Sequence, residues 1–345
     1  MRVFDIFCGC GGFGIAAQQS GCDIAMAIDN DKYAIQSYIH NVGNHAILSD
    51  IRDIKGADIP KCDMWLFGFP CSNLSVAGKQ EGIDGDKSGM FFEVMRLLDE
   101  VSIKPFALIA ENVKGLRKYL PVLEWEFAMR GYKMYYALYN SKYWGVPQNR
   151  ERYYIVGLRD DTPFEMPTQL TENVPILRNF LDADVGEKYY LTDEKAQTII
   201  KNALERVALK ETHACITPDR VDKRQNGRRA KDDNEPMFTL TAQDMHGIIC
   251  KETGMNNPNG INKTLRVGGR ITLTAVNGGL HHAKIFDYSC YRVRRLTPNE
   301  YRKLQGFPNT WEQIVSDSQA YKQFGNAVSV PVAKAVIESV VIHLK

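Results

Sequence analysis

Between Arg2 and Leu158 short β-rich runs alternate with stretches of helical period, a rhythm that suits a parallel sheet with helices on its faces. The runs that read as strands are Arg2 to Phe7, Cys22 to Ile28, Asp63 to Phe67, Phe106 to Ala110, Tyr132 to Tyr139 and Arg152 to Leu158. Helical spacing covers Ile15 to Gln19, Lys32 to Ile39, Met90 to Val101 and an amphipathic stretch from Val113 to Met129. This half is expected to be a doubly wound α/β domain. Beyond Asp160 the rhythm breaks at Pro163, Pro167 and Pro175, and the chain to about Tyr291 reads as a second, smaller domain. An echo within it, Phe-Thr-Leu-Thr-Ala at 238–242 and Ile-Thr-Leu-Thr-Ala at 271–275, suggests two β-arms, although five residues do not make a repeat architecture. Val330 to Leu344 has a helical apolar pattern and is expected to pack on the first domain.

At 345 residues, 44% hydrophobic and 24% charged, the chain can bury a full core without staples, which excludes disordered, collagenous and disulfide-scaffold classes. Its start lacks the charged-then-apolar plan of a secretory signal, and no run of about 20 apolar residues suggests a membrane span, so a cytoplasmic location is expected. The eight cysteines contain no CxxC pair; they are expected to be mostly buried thiols, with no metal site. A net charge of +2 announces no polyanion partner. Locally, Lys201 to Lys231 holds nine basic residues against four acids, and Lys263 to Arg295 seven against Asp287 alone. Either a solvated basic face or a polyanion surface accounts for these counts.

Gly9-Cys-Gly11-Gly-Phe-Gly14 fits G-x-G-x-x-G between a strand and a helix, and Asp29 follows 20 residues past Gly9 at the end of the next strand. Glycines let a backbone approach a nucleotide cofactor, and a carboxylate after the second strand can hold ribose hydroxyls. Both NAD and S-adenosylmethionine carry an adenosine that satisfies this pattern. Gly68-Phe69-Pro70-Cys71 puts a cysteine beyond the carboxyl end of a strand, where a thiolate serves as a nucleophile and a buried thiol serves only packing. Gly78, Gly82, Gly85 and Gly89 then space a charged segment in the manner of a lid. Glu111-Asn112-Val113 ends another strand, so its carboxylate is either a proton donor or a helix cap. Gln148-Asn-Arg150-Glu-Arg152 enters the last strand with two arginines at alternate positions, which places both on one face.

Taken in order, these residues resemble the motif series of the DNA (cytosine-5) methyltransferases. The series runs Asp5-Ile-Phe-Cys-Gly-Cys-Gly-Gly-Phe, Asp29, Asp50-Ile51, Gly-Phe-Pro-Cys71, Glu111-Asn-Val and Gln148-x-Arg150-x-Arg152. It closes with Arg295-Leu-Thr-Pro-x-Glu300 through Leu304-Gln-Gly-Phe-Pro308, and Gly325-Asn326-Ala-Val. It covers nearly the whole chain and is similar to the short bacterial and phage type.

The resemblance implies a Rossmann-like S-adenosylmethionine-dependent methyltransferase sheet in a catalytic domain of residues 1–175 completed by 322–345, and a target-recognition domain with hinge at 176–321. It implies that Cys71 adds to C6 of a flipped-out cytosine while Glu111 engages N3 and Arg152 the O2 side, so that C5 accepts the methyl group. Asn112, Arg150 and Ser75 would support that chemistry, Ser75 as a phosphate contact. Phe7, Gly9 and Gly11 would line the cofactor, Asp29 its ribose, Asp50 and Ile51 its adenine, and Pro70 and Asn326 would complete the pocket. Arg224, Asn226, Arg228, Gln243 and His246 become candidates for reading duplex DNA. A monomer is expected, with any cognate restriction endonuclease acting separately.

The chain departs from the family at several positions: Asp29 stands where Glu is usual, Asn30 where an aromatic often lies, Ser72 where Gln is usual, and Cys10 sits inside the glycine loop. No catalytic group is lost. The tRNA-directed branch usually has Pro-Pro-Cys and Cys-Phe-Thr, and this chain has neither. A DNA-binding regulator without catalysis would not need Cys71, Glu111, Arg152 and Asn326 together. A nicotinamide dehydrogenase leaves every later motif unexplained.

Overall fold

The computed structural model describes residues 1–69, 89–159, 163–172, 174–204, 207–219, 228–251, 271–273, 284–286 and 291–344. The chain forms two compact units: Met1–Pro175 with Thr239–Gln243 and Pro298–Lys345, and Ile176–Phe238 with Asp244–Thr297.

The first unit follows the alternation read in the sequence. Its elements are β1 (Arg2–Ile6), α1 (Gly12–Gln19), β2 (Asp23–Asp29), α2 (Lys32–Asn41), β3 (Ala46–Leu48), β4 (Met64–Phe67), α3 (Met90–Glu100), β5 (Ala107–Val113), α4 (Leu120–Met129), β6 (Lys133–Asn140) and β7 (Glu151–Leu158). They build one seven-stranded sheet in the order β3-β2-β1-β4-β5-β7-β6. The strands from β3 to β5 are parallel, and β7 runs antiparallel to both β5 and β6. Parallel strands are covered on both faces, which is why Met64 to Phe67 and Ala107 to Ala110 are apolar without alternation and fully buried. Phe4 meets Trp65 edge-on, and Phe91 of α3 stacks on Phe127 of α4 beneath the sheet.

Val113 to Met129 differs from the expected amphipathic helix. A 3₁₀ stretch over Lys114–Tyr119 comes first, and α4 restarts with Pro121 in its first turn. Leu123 and Phe127 are buried while Val122, Trp125 and Met129 are exposed, so α4 is apolar on two faces.

The second unit holds α5 (Asp193–Leu204), β8 (Thr212–Ile216), β9 (His246–Lys251), β10 (Ile271–Leu273), β11 (Lys284–Phe286) and β12 (Tyr291–Arg295). Its antiparallel sheet runs β12-β9-β8, and β10 pairs with β11 separately. Ala196, Ile200 and Ala203 on one face of α5 pack with Cys215, Ile249 and Val293 into its own core. Among the described residues the two halves of the sequence echo differ: Ile271–Leu273 is a strand, whereas Thr239–Gln243 is non-strand chain that belongs to the first unit, and 274–275 lie outside the described residues.

The chain returns to the first unit at Pro298 rather than at 322, through α6 (Pro298–Leu304), α7 (Asp317–Asn326) and α8 (Val330–His343). The cause is local packing: the Tyr301 ring meets Tyr321, and Gln305 donates from Nε2 to the Phe324 carbonyl. α8 packs on α1, as its apolar pattern leads one to expect. Among the described residues, Asp317–His343 is long and apolar enough to cross a membrane by length and composition alone, and 56% of its apolar window is buried in the protein.

Candidate active site

The order of β3, β2, β1 and β4 places the reversal of winding at β1, and open α/β sheets put their ligand crevice beyond the carboxyl ends of strands at that point. The glycine turn stands there. Phe7, Gly9 and Gly11 all have left-handed backbones, with φ of 56°, 54° and 101°. A Cβ at Gly11 would stand 2.5 Å from a Val42 methyl carbon, so that position is closed to any side chain. Gly9 differs: nothing lies within 4 Å of where its Cβ would project, leaving open space over the loop. The non-glycine Phe7 tolerates its conformation inside a turn that is tied down by the Cys8 amide on the Ile28 carbonyl and the Gly11 amide on Cys8.

Asp29 ends β2 and fixes this loop. One carboxylate oxygen accepts the Gly9 amide at 2.9 Å and the other the Asp31 amide at 2.8 Å, leaving each oxygen a further lone pair. Burial raises its pKa against the pull of those amides, and the nearby Asp31 charge adds to the rise. The open floor at Gly9 and this carboxylate suit an adenosine-bearing group. Asp50 accepts from the Arg52 amide and takes the Arg52 guanidinium through both oxygens, and these bonds hold it well below the usual carboxylate range. Ile51 is buried in the central core, and Asn326 is exposed at the end of α7. Cys8 and Cys10 are thiols kept protonated by burial, Cys10 pushed up to about 12, so neither is a nucleophile.

Across the sheet, β5 carries Glu111, Asn112 and Val113 opposite Tyr154, Tyr153 and Arg152 of β7. The Arg152 Nε lies 3.1 Å from a Glu111 carboxylate oxygen, and both side chains are largely buried. A Cβ on Gly68, just past β4, would stand 3.8 Å from the other Glu111 oxygen, so the exit of β4 passes close to the carboxylate. The Asn112 side chain donates to the Phe69 carbonyl at 3.2 Å. Pro70, Cys71, Ser75 and most of the expected lid lie outside the described residues, as do Arg224 and Asn226.

Arg150 and Arg152 do not share a role. Arg150 precedes the β7 ladder, so period-two reasoning does not reach it; its buried guanidinium donates to the Leu240, Gly325 and Ala327 carbonyls. Gln148 works beside it, donating to Leu304 and Gln305 and accepting the Leu240 amide. Together they fasten Thr239–Gln243 to the rest of the first unit, and Gln243 is exposed there.

The basic segments are partly spent inside the second unit. Arg228 pairs with Asp232 and Glu235, Arg292 with Glu187, Lys231 donates to the Pro236 carbonyl, and Arg294 is buried. His246 does not fit the expectation of a DNA reader: it begins β9 with a side chain 1% exposed. Sequence reasoning passed over Lys322, whose Nζ lies 2.6 Å from an Asp31 carboxylate oxygen, and the buried carboxyl of Asp5. Its position four residues before Asn326 was the only available signal for Lys322.

The fold is shared with solved methyltransferases. A structure of Entamoeba histolytica methyltransferase EhMeth superposes with a TM-score of 0.70 at 21% identity, covering 100% of this chain and 99% of that one. The S. pombe Dnmt2 methyltransferase gives 0.68 at 18% over the same shares. The model of the C-5 cytosine-specific DNA methylase family matches residues 1–341, and the chain belongs to that family. Among its relatives, the type II methyltransferase M.HaeII of Haemophilus aegyptius is 32% identical over 99% of this chain and 92% of its own length. M.NlaX of Neisseria lactamica is 30% identical over 98% and 95%, and the orphan methyltransferase M.SPBetaI of Bacillus phage SPbeta 27% over 99% and 97%.

Proposed function

We propose that this chain transfers a methyl group from S-adenosylmethionine to C5 of cytosine in a specific short sequence of duplex DNA, as the modification half of a restriction system or as an orphan phage-type enzyme. The observation that carries the reading is the buried Glu111–Arg152 contact beside the exit of β4, two strands from the glycine turn. The bound cofactor supplies an electrophilic methyl group. The Cys71 thiolate adds to C6 of a base turned out of the helix, where the Glu111 carboxyl engages N3 and Arg152 faces O2, so electron density gathers at C5. With S-adenosylmethionine bound, C5 would take its methyl group with S-adenosylhomocysteine as the leaving group; loss of the C5 proton to a solvent base then returns the electron pair that expels Cys71. Gly9, Gly11 and Asp29 would hold the cofactor, with Phe7, Asp50, Ile51, Pro70 and Asn326 around it. Arg228 and Gln243 remain candidates for DNA contact, with Arg224 and Asn226. The enzyme acts as a monomer, and any endonuclease acts separately.

The test is bisulfite sequencing of plasmid from a methylation-deficient host expressing the chain, with Cys71→Ser alongside. Protected cytosines confined to one short motif and absent in the variant are expected. Full conversion with soluble protein present would overturn the reading.

A further inference from the structure

The cofactor loop has an electrostatic support on the far side of Asp29. Asp31 is the N-cap of α2, and one of its oxygens accepts the Tyr33 and Ala34 amides while the other takes the Lys322 Nζ at 2.6 Å. Its own amide is the donor to Asp29. Although partial burial acts to raise it, the Lys322 contact and those amides hold the Asp31 carboxyl below its ordinary value, so Asp31 is a standing negative charge two residues from the ribose-binding acid. The next residue along α7, Gln323, donates to the Tyr33 carbonyl at 2.9 Å and accepts the Ser37 hydroxyl at 3.1 Å, which fixes α7 against α2 in register. Among the described residues, the ionisable groups near Asp29 are Asp5, Cys8, Cys10, Asp31 and Lys322, and Lys322 is the cation of that set.

We propose that Lys322 is a positioning residue for the cofactor: it offsets the Asp31 charge so that Asp29 can present an ionised carboxylate to the ribose, and it ties the helix ending in Asn326 to the β2–α2 turn. The inference rests on the reading of the glycine loop as an S-adenosylmethionine site. Lys322 does not touch the cofactor in this account; it acts through Asp31 and then Asp29. Its side chain is half exposed, so solvent and salt screen the effect to a few-fold.

The experiment is calorimetric binding of S-adenosylhomocysteine to the full chain without DNA, using wild type, Lys322→Met, Lys322→Arg, Asp31→Asn and the Asp31→Asn/Lys322→Met double variant. Lys322→Met should weaken binding about two- to fivefold at pH 7.5 and more at pH 6, with Lys322→Arg close to wild type. In turnover, the cofactor KM should rise while kcat at saturation holds. Asparagine still caps α2, so Asp31→Asn should fold, and in that background Lys322→Met should have no further effect on affinity. Equal affinities for wild type and Lys322→Met overturn the inference, as does an undiminished Lys322→Met loss in the Asp31→Asn background. Failure of the wild type itself to bind S-adenosylhomocysteine overturns the cofactor reading and this inference with it.

Discussion

The Asn112 side-chain amide donates to the Phe69 carbonyl at 3.2 Å, binding the residue next to Glu111 to the chain that leads into Pro70-Cys71. The same side chain accepts the Val113 amide at 2.8 Å, so its orientation is fixed from both ends. Beyond the last rung of the β4–β5 ladder, this buried amide therefore ties the residue beside the acid to the chain that leads to the proposed nucleophile.

Asn112→Ala removes that tie without touching a reacting atom. Methyl transfer should fall about 10- to 100-fold, the scale of a misplacement near 1 Å, while S-adenosylhomocysteine binding stays within about twofold. Single-turnover rates with calorimetry alongside would separate the two, and an unchanged rate would remove the positioning role.

Glu111→Gln keeps the shape of the site and deletes the acid. A loss of about 10²–10⁴-fold in the rate of transfer is expected, with duplex binding retained. Arg152→Met leaves the Glu111 carboxylate without its 3.1 Å cation and should also slow transfer. A fully active Glu111→Gln protein would show that N3 is engaged by another group.

Arg150→Met strips donors from three carbonyls contributed by two distant stretches of chain. Hydrogen bonds from a charged donor contribute about 1.5–3 kcal/mol each, and their effects here overlap, so a loss of about 3 kcal/mol is expected. Chymotryptic cleavage beside Phe238 and Leu240 should quicken at the same time. An unaltered digestion pattern would mean that the remaining ties, among them the Gln148 side chain and the Asn149 carbonyl, hold Thr239–Gln243 without Arg150.

Asp5 is fully buried and its carboxyl is pushed up to about 8, chiefly by burial, against about 3.9 in an unfolded chain. Between those values the folded protein keeps a proton that the unfolded chain has lost, so this residue's contribution to stability is present below about pH 4 and is lost as pH rises through 8. Asp5→Asn should accordingly gain on wild type between pH 5 and pH 8.5, read as the difference in melting temperature at each pH. A difference independent of pH would show that Asp5 is ionised throughout.

Much of the catalytic unit was legible in the sequence because its signals are local. Strand, glycine turn, helix and acid stand within 30 residues, and β5 with Glu111 reads as a buried run that ends in a polar one. What was not legible depends on partners far along the chain. The spacing of Arg150 and Arg152 suggests a shared face, yet Arg150 lies ahead of the ladder and answers to carbonyls about 90 and 175 residues away. His246 looks available for base reading until β8 and β12 flank its strand. The two Thr-Leu-Thr-Ala segments look alike, and it is distant partners, among them Gln148, the Asn149 carbonyl and Arg150, that hold one of them in the first unit. Net charge along a segment likewise hides which cations already have acids or carbonyls to hold.

The packing of α8 on α1 has a consequence for synthesis. Gly12–Gln19 leaves the ribosome more than 300 residues before Val330–His343, and the apolar surface that α8 covers stays uncovered for most of translation. The catalytic unit therefore cannot close vectorially behind the exit tunnel, domain by domain, as a bead on a string would. A nascent chain stalled before Val330 should engage holdase chaperones, because its longest-range helix pair is completed only after the rest has emerged.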